Sequence, residues 1–132
     1  MALQYSVGVN NARLDAVEST TGATALLRIY TGSAPANCAA SATGTLLATI
    51  TLPSDWMAAA ASASKAKSGT WSVAASAAGT AGYFRILDNA GTTCHIQGTC
   101  GTSGTDMILD NTSIASGQTV TVNTFTLNAA NT

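Results

Sequence analysis

Cys38, Cys94, His95 and Cys100 are the residues best equipped for chemistry: every thiol in the chain and its only imidazole. Zinc accepts such a set of three thiolates and one imidazole. The spacing speaks against it. Structural zinc sites usually leave about two to four residues between paired cysteines, whereas five separate Cys94 from Cys100. In a strand, Cys94 and His95 also point to opposite faces and cannot share one ion. The same geometry denies a Cys94 nucleophile His95 as its base. No Gly-x-Ser-x-Gly elbow surrounds any serine. The plainer role for His95 is a hairpin histidine hydrogen-bonded to a neighbour.

Carboxylate pairs are the next candidates. Asp106 and Asp110, or Asp88 with a distant partner, would suit glycoside hydrolysis at separations of roughly 5–9.5 Å. Asp106 and Asp110 flank a short strand, however, where aspartates usually serve turns. Aromatic residues, at 5%, are also few for a sugar cleft. The stretch from Asp106 to Asn111 lacks the alternating acids of a calcium loop. Asn111-Thr112-Ser113 matches a glycosylation sequon, which is chance without a secretion signal. The expectation is no catalytic residue, no metal and no cofactor.

The elements that would position these residues are mostly short strands. Gly79 to Cys100 reads as a hairpin, with Tyr83 to Leu87 and Thr92 to Gln97 joined by the turn Asp88-Asn89-Ala90-Gly91. Ala25 to Tyr30, Leu46 to Leu52, Trp71 to Ala74, Asp106 to Leu109 and Gln118 to Leu127 are further strands. In the second, Leu46, Ile50 and Leu52 share one face. In the last, Phe125 and Leu127 fall out of phase with Val120 and Val122, and a bulge near Asn123-Thr124 would restore all four to the core. Gly98 to Thr105 is a loop.

Two segments are less regular. Met1 to Val9 alternates, with Leu3, Tyr5, Val7 and Val9 on one side, as an extended arm or a first strand. Asn10-Asn11 then caps a short helix over Ala12 to Ser19, whose outer face, with Arg13, Asp15 and Glu18, is solvated. Ser54 to Lys67 is rich in alanine and serine; at most a helical turn at Asp55 to Ala60 precedes a flexible segment. Trp71 belongs to the core, whereas Trp56 divides evenly between core and partner anchor.

Composition sets the broad class. Charged residues make up 8% of the 132 residues, and the net charge is −1. So few charges give weak mutual repulsion, which suits a protein packed against others. Arg13, Arg28, Lys65, Lys67 and Arg85 form no basic stripe, which argues against nucleic acid and an anionic membrane surface. No run approaches the ~20 apolar residues of a membrane span. The start lacks the pattern of a signal peptide, so folding in a cytoplasm is expected. With an odd cysteine count, free half-buried thiols are the default there, and a Cys94–Cys100 bridge stays open in an oxidising medium.

These elements predict one mainly β domain over residues 1–132: a β-sandwich or jelly-roll-like barrel with one short N-terminal helix, an arm or edge strand at 1–9 and a loose tail at 128–132.

A resemblance adds to this. VNNARLDAVESTTG, RIYTGSAPANCAA, LPSDWM with SKAKSGTW, AGYFRILD with TCHIQG, and LDNTSIASGQTVTVNTFTL together resemble a family of small virion structural proteins of tailed bacteriophages. The resemblance runs over nearly the whole chain and carries over no catalytic residue. It implies a capsid decoration (cement) protein that binds the outer surface of the head, made in the bacterial host cytoplasm and resident in the virion. A tail, collar or fibre component is the alternative, and a small hydrolase a more distant one. The implied partners are the major capsid protein and copies of itself, as a homotrimer. Leu3, Tyr5, Val7, Arg13, Trp56 and Met57 are the candidate contact residues.

Overall fold

The computed structural model describes residues 3–129. One helix, α1 (Val7–Thr21), precedes nine strands: β1 (Leu26–Thr31), β2 (Leu46–Thr51), β3 (Ser64–Ala66), β4 (Ser72–Ala74), β5 (Gly79–Leu87), β6 (Cys94–Gly101), β7 (Met107–Leu109), β8 (Ser113–Ile114) and β9 (Thr119–Asn128). They join in the order β2-β1-β5-β6-β7-β9-β3, with β4 beside β9 and β8 beside β5. Every pairing is antiparallel except β6 with β7. The chain is mainly β, and its sheet curls into a half-barrel.

Alternation in β1 and β5 builds the core. Leu27 lies opposite Ile86 and Ile29 opposite Phe84, and all four are buried on the inner face. Met107, Leu109, Val120, Val122 and Phe125 meet them from the other half of the curl. Trp56, Trp71, Phe125 and Phe84 form a chain of tilted and edge-on rings, with successive centroids 6.1, 5.8 and 5.4 Å apart. The bulge anticipated in β9 is present: Ile108 pairs with Thr124 and Leu109 with Val122, leaving Asn123 unmatched. It buries Val120, Val122 and Phe125 together and leaves Leu127 half-buried. A second irregularity was not anticipated. Ile29 pairs with Ala48 but Tyr30 with Leu46, so Leu47, not Leu46, enters the core. The expected loop at Gly98 also begins late, because β6 continues to Gly101.

The N-terminal region departs most from expectation. An arm to Val9 with a cap at Asn10-Asn11 gives way to a helix starting at Val7. Ser6 has extended backbone angles, and its Oγ accepts the Val9 N–H at 3.2 Å. The helix continues past Ser19 to Thr21 and stops at Gly22, whose φ of 94° suits glycine. At the other end, β9 reaches Asn128 and the Ala129 N–H donates to the Ala63 carbonyl, so ordered pairing extends into the expected tail. Met1, Ala2 and residues 130–132 lie outside the described residues.

Ser54 to Lys67 contains no helical turn. Three of its main-chain donors find partners on α1, and others pair within the segment or with β9. Asn11 Oδ1, Asp15 Oδ1 and Glu18 Oε2, one face of the helix, accept the N–H groups of Ala63, Ala60 and Met57. Of the residues read as solvated, Asp15 and Glu18 therefore dock, whereas Arg13 is exposed as expected. Lys65 enters the same seam, 2% exposed, with Nζ 2.8 Å from Asp15, 2.9 Å from Glu18 and 2.9 Å from the Ala58 carbonyl. The Lys65 ammonium and the Ala60 N–H hold the Asp15 carboxyl below its ordinary value. Burial alone would pull Lys65 down, but the Asp15 and Glu18 carboxylates override it and raise it.

Stability should therefore be flat at intermediate pH and fall at both ends. The lowered Asp15 contributes fully above its unfolded value near 3.8, and that contribution is lost as pH falls through the folded value. The raised Lys65 contributes fully below its unfolded value near 10.5 and loses it as pH rises through the folded value. Melting curves across pH will show both limbs. Asp88, lowered chiefly by the Thr92 N–H, adds to the acid limb. Asp15→Asn should therefore shrink that limb without abolishing it. An unchanged acid limb in Asp15→Asn would exclude this seam as a source of the pH dependence.

Candidate functional site

The chemistry-bearing hairpin has been put to structural use. Its outer face carries Tyr83, Arg85 and Gln97, with Tyr83 stacked on Tyr30 of β1 at 5.0 Å between centroids. A strap, residues 32–45, lies across this face. Tyr83 Oη donates to the Thr43 carbonyl at 2.6 Å and accepts the Thr43 N–H at 2.9 Å. The Arg85 guanidinium, buried, donates to the Ala40 carbonyl at 2.7 Å, the Asn37 carbonyl at 3.3 Å and Gln97 Oε1 at 3.1 Å. Gln97 Nε2 reaches the Pro35 carbonyl at 2.7 Å. The strap's ends close through Thr31 and Thr45.

Cys38 on the strap and Cys94 on β6 form a disulfide, with Cα atoms 5.3 Å apart. This corrects the expectation of free thiols and of Cys94–Cys100 as the open alternative. Cys94 lies opposite Leu87 on the outer face, whereas Cys100 is buried in the core. Two cysteines six positions apart on one strand meet different environments. Burial pushes the Cys100 thiol up to about 12, far from a reactive thiolate.

The zinc set is thus dispersed, and the described residues contain no cluster of three metal-ligating side chains. His95 is the unmatched residue where Ile86 pairs with Ile96 and Leu87 with Cys94. It faces α1 across a shallow groove shared with Arg13, Val17 and Thr20. The aspartates hold main chain. Asp106 Oδ2 accepts the Thr99 N–H, Asp110 Oδ1 the Thr121 N–H, and Asp88 Oδ1 those of Thr92 and Thr93.

The six proposed contact residues divide. Leu3, Tyr5 and Val7 are exposed, at 72%, 37% and 47%, and Val9 joins them at 46%. Arg13 is exposed too, with its guanidinium 4.9 Å from the centre of the Tyr5 ring. Trp56 and Met57 are buried, at 0% and 1%. Trp56 Nε1 donates to the Gly22 carbonyl at 2.9 Å, clasping the loop behind α1. Neither residue offers surface to a partner.

A second feature is a groove of about 530 Å3 between β6 and β9. Phe84 and Phe125 lie at its floor, with Ile96 and Gln97 on one side and Thr126 to Asn128 on the other. Thr105 and Asp106 close the groove toward β7, so its rim is polar.

Comparison with known proteins returns nothing. No family model, curated protein or solved structure matches this chain. The site therefore rests on its own geometry. Sequence reasoning missed Arg85 and Tyr83 as strap anchors. Their signal was Arg85 within the otherwise apolar run Tyr83 to Leu87: a charge there implies a polar cover over that face.

Proposed function

We propose that this chain is a structural protein of a tailed-bacteriophage virion, most readily a capsid decoration protein bound to the outside of the head. The observation that carries the reading is the confinement of exposed large apolar side chains to Leu3, Tyr5, Val7 and Val9 among the described residues. They project from a body with 8% charged residues. Large apolar side chains left exposed along one short stretch of chain favour an interaction surface there. The resemblance to small phage virion proteins supplies the setting. The two halves of the curled sheet face each other over one core, and in that sense we read the fold as a β-sandwich. The major capsid protein and copies of the chain are the proposed partners, with a homotrimer as the assembly, and the part played is one of shape and contact.

Imaging of intact particles tests the reading through position and copy number. Many copies on the head surface are expected. A ring of few copies at the tail or neck would overturn the head assignment in favour of a tail or collar component. The contact residues are tested separately. Leu3→Ser, Tyr5→Ser and Val7→Ser combined should weaken attachment to bare shells roughly tenfold or more, since each large apolar side chain contributes about 1.5–3 kcal/mol when fully buried. The melting temperature should stay close to that of the parent. Unchanged attachment would remove the N-terminal surface from the interface. Deleting residues 1–9 is a poorer test, because it removes Ser6 and the first turn of α1.

A further inference from the structure

We infer that the Cys38–Cys94 disulfide is a latch closed after folding: the strap docks with both thiols reduced, its hydrogen bonds present Cys38 to Cys94, and the bond forms when the protein meets an oxidising medium. The inference goes beyond the proposed function and does not rest on it.

Cys38 is held from both sides without its sulfur. It lies in a turn where the Asn37 carbonyl and Asn37 Oδ1 both accept the Ala40 N–H. The Arg85 guanidinium takes the carbonyls of Asn37 and Ala40, one before Cys38 and one after it. Such charge-assisted bonds are the stronger kind. Gln97 Nε2 fixes the Pro35 carbonyl, and Tyr83 Oη fixes both main-chain groups of Thr43. Thr31 and Thr45 pin the two ends. All of these bonds can form in the reduced chain, so docking does not wait for the disulfide.

The partner cysteine is aimed by a bulge. Gln97 lies opposite Arg85 and Ile96 opposite Ile86. Strict alternation from Gln97 would bring His95 to the strap side of β6 and turn Cys94 inward. The register instead skips His95, and Cys94 pairs with Leu87, two residues from Arg85. One extra residue thus points Cys94, in place of His95, at the strap; re-aiming a side chain is a common use of a bulge.

The third thiol is kept out. Cys38 and Cys94 are partly exposed, whereas Cys100 is sealed in the core. Only one pairing is therefore open to the folded chain. The oxidant is a small-molecule disulfide such as oxidised glutathione. One cysteine thiolate attacks a sulfur of that disulfide and displaces one small thiol. The other thiolate then attacks the protein-bound sulfur, which forms the Cys38–Cys94 bond and displaces the second small thiol. Two electrons pass from the cysteine pair to the small disulfide, and the two cysteine protons end on the two departing thiols.

The test starts from the full chain, reduced and then freed of reductant. Amide exchange should show β1 and β5 protected, and Thr43 slower than in an unfolded chain though faster than in the oxidised protein. Mixtures of oxidised and reduced glutathione then give the effective concentration of one cysteine at the other, with the bond located by mass spectrometry. That concentration should be at least about thirtyfold higher in native buffer than in urea, with Cys38–Cys94 as the product and Cys100 reduced. Tyr83→Phe with Gln97→Leu should lower the native value at least about tenfold while β1 and β5 stay protected. Tyr83→Phe alone keeps the ring stack and should give a smaller drop in the same direction. A reduced chain that is unfolded, or whose Thr43 exchanges at the unfolded rate, would mean that the disulfide builds the strap and would end the latch model. Equal values in buffer and urea, pairing through Cys100, or folded anchor variants that close as favourably as the parent would also overturn it.

Discussion

Replacing Trp56 with alanine is expected to lower the unfolding free energy by about 3–5 kcal/mol. The indole is fully buried and packs on Trp71, which in turn packs on Phe125. Truncation leaves a cavity that this ring chain cannot close without moving neighbours on several strands. It also removes the donor to the Gly22 carbonyl, which ties the end of α1 to the sheet. Trp56→Phe separates the two contributions. It keeps most of the apolar volume, loses the N–H, and should cost about 1–3 kcal/mol. Urea denaturation with an unchanged m-value reads both. A change within about 0.5 kcal/mol for Trp56→Ala would match an exposed residue and contradict its placement in the core.

Trp56 also shows where sequence stops being legible. A tryptophan beside Pro53, Ser54 and Asp55 carries no periodicity, so only tertiary structure could decide its side. Strands with clear alternation were readable. β1 follows its expected segment, β5 contains the expected Tyr83 to Leu87 but begins four residues earlier at Gly79, and the phase slip in β9 disclosed its bulge before any pairing was known. The slip at Leu47 gave no such signal, because Leu46 and Leu47 are equally apolar and only the partner strand distinguishes them. The alanine-rich stretch was misjudged for a physical reason. Helix propensity describes a chain supplying its own hydrogen bonds. Here Asn11, Asp15 and Glu18 supply them from another element. Ser6 outcompeted Asn10-Asn11 as the cap, and Asn10 lies inside the helix, buried, with its Oδ1 accepting from Arg13. In the candidate site, Leu3, Tyr5 and Val7 are exposed, but the alternation read as an arm or strand stops short of Val7, which already belongs to α1. The groove was hidden, since it arises from the mismatch between β7 and its two neighbours.

The cysteines give the second large effect. The odd count argued against a framework, yet two thiols pair and the third is buried. The Cys38–Cys94 link closes a loop across a sequence separation of 56. Chain-entropy reasoning for a loop of that size gives about 4 kcal/mol, and native disulfides commonly contribute about 2–4 kcal/mol. Cys38→Ser with Cys94→Ser should therefore lower stability by about 2–4 kcal/mol, read from denaturant midpoints. The strap should also loosen locally in that variant. Tyr83, Arg85 and Gln97 still reach its carbonyls, but those bonds must then oppose the strap's regained entropy. Amide exchange should accelerate at Thr43, whose N–H is held by Tyr83 Oη. Thiol titration provides the chemical check. Native protein should show no fast-reacting thiol, denatured unreduced protein one, from Cys100, and denatured reduced protein all three. Three reactive thiols without reductant, or equal midpoints with and without it, would remove the disulfide from the account. The strap would then depend on the Arg85 and Tyr83 hydrogen bonds alone.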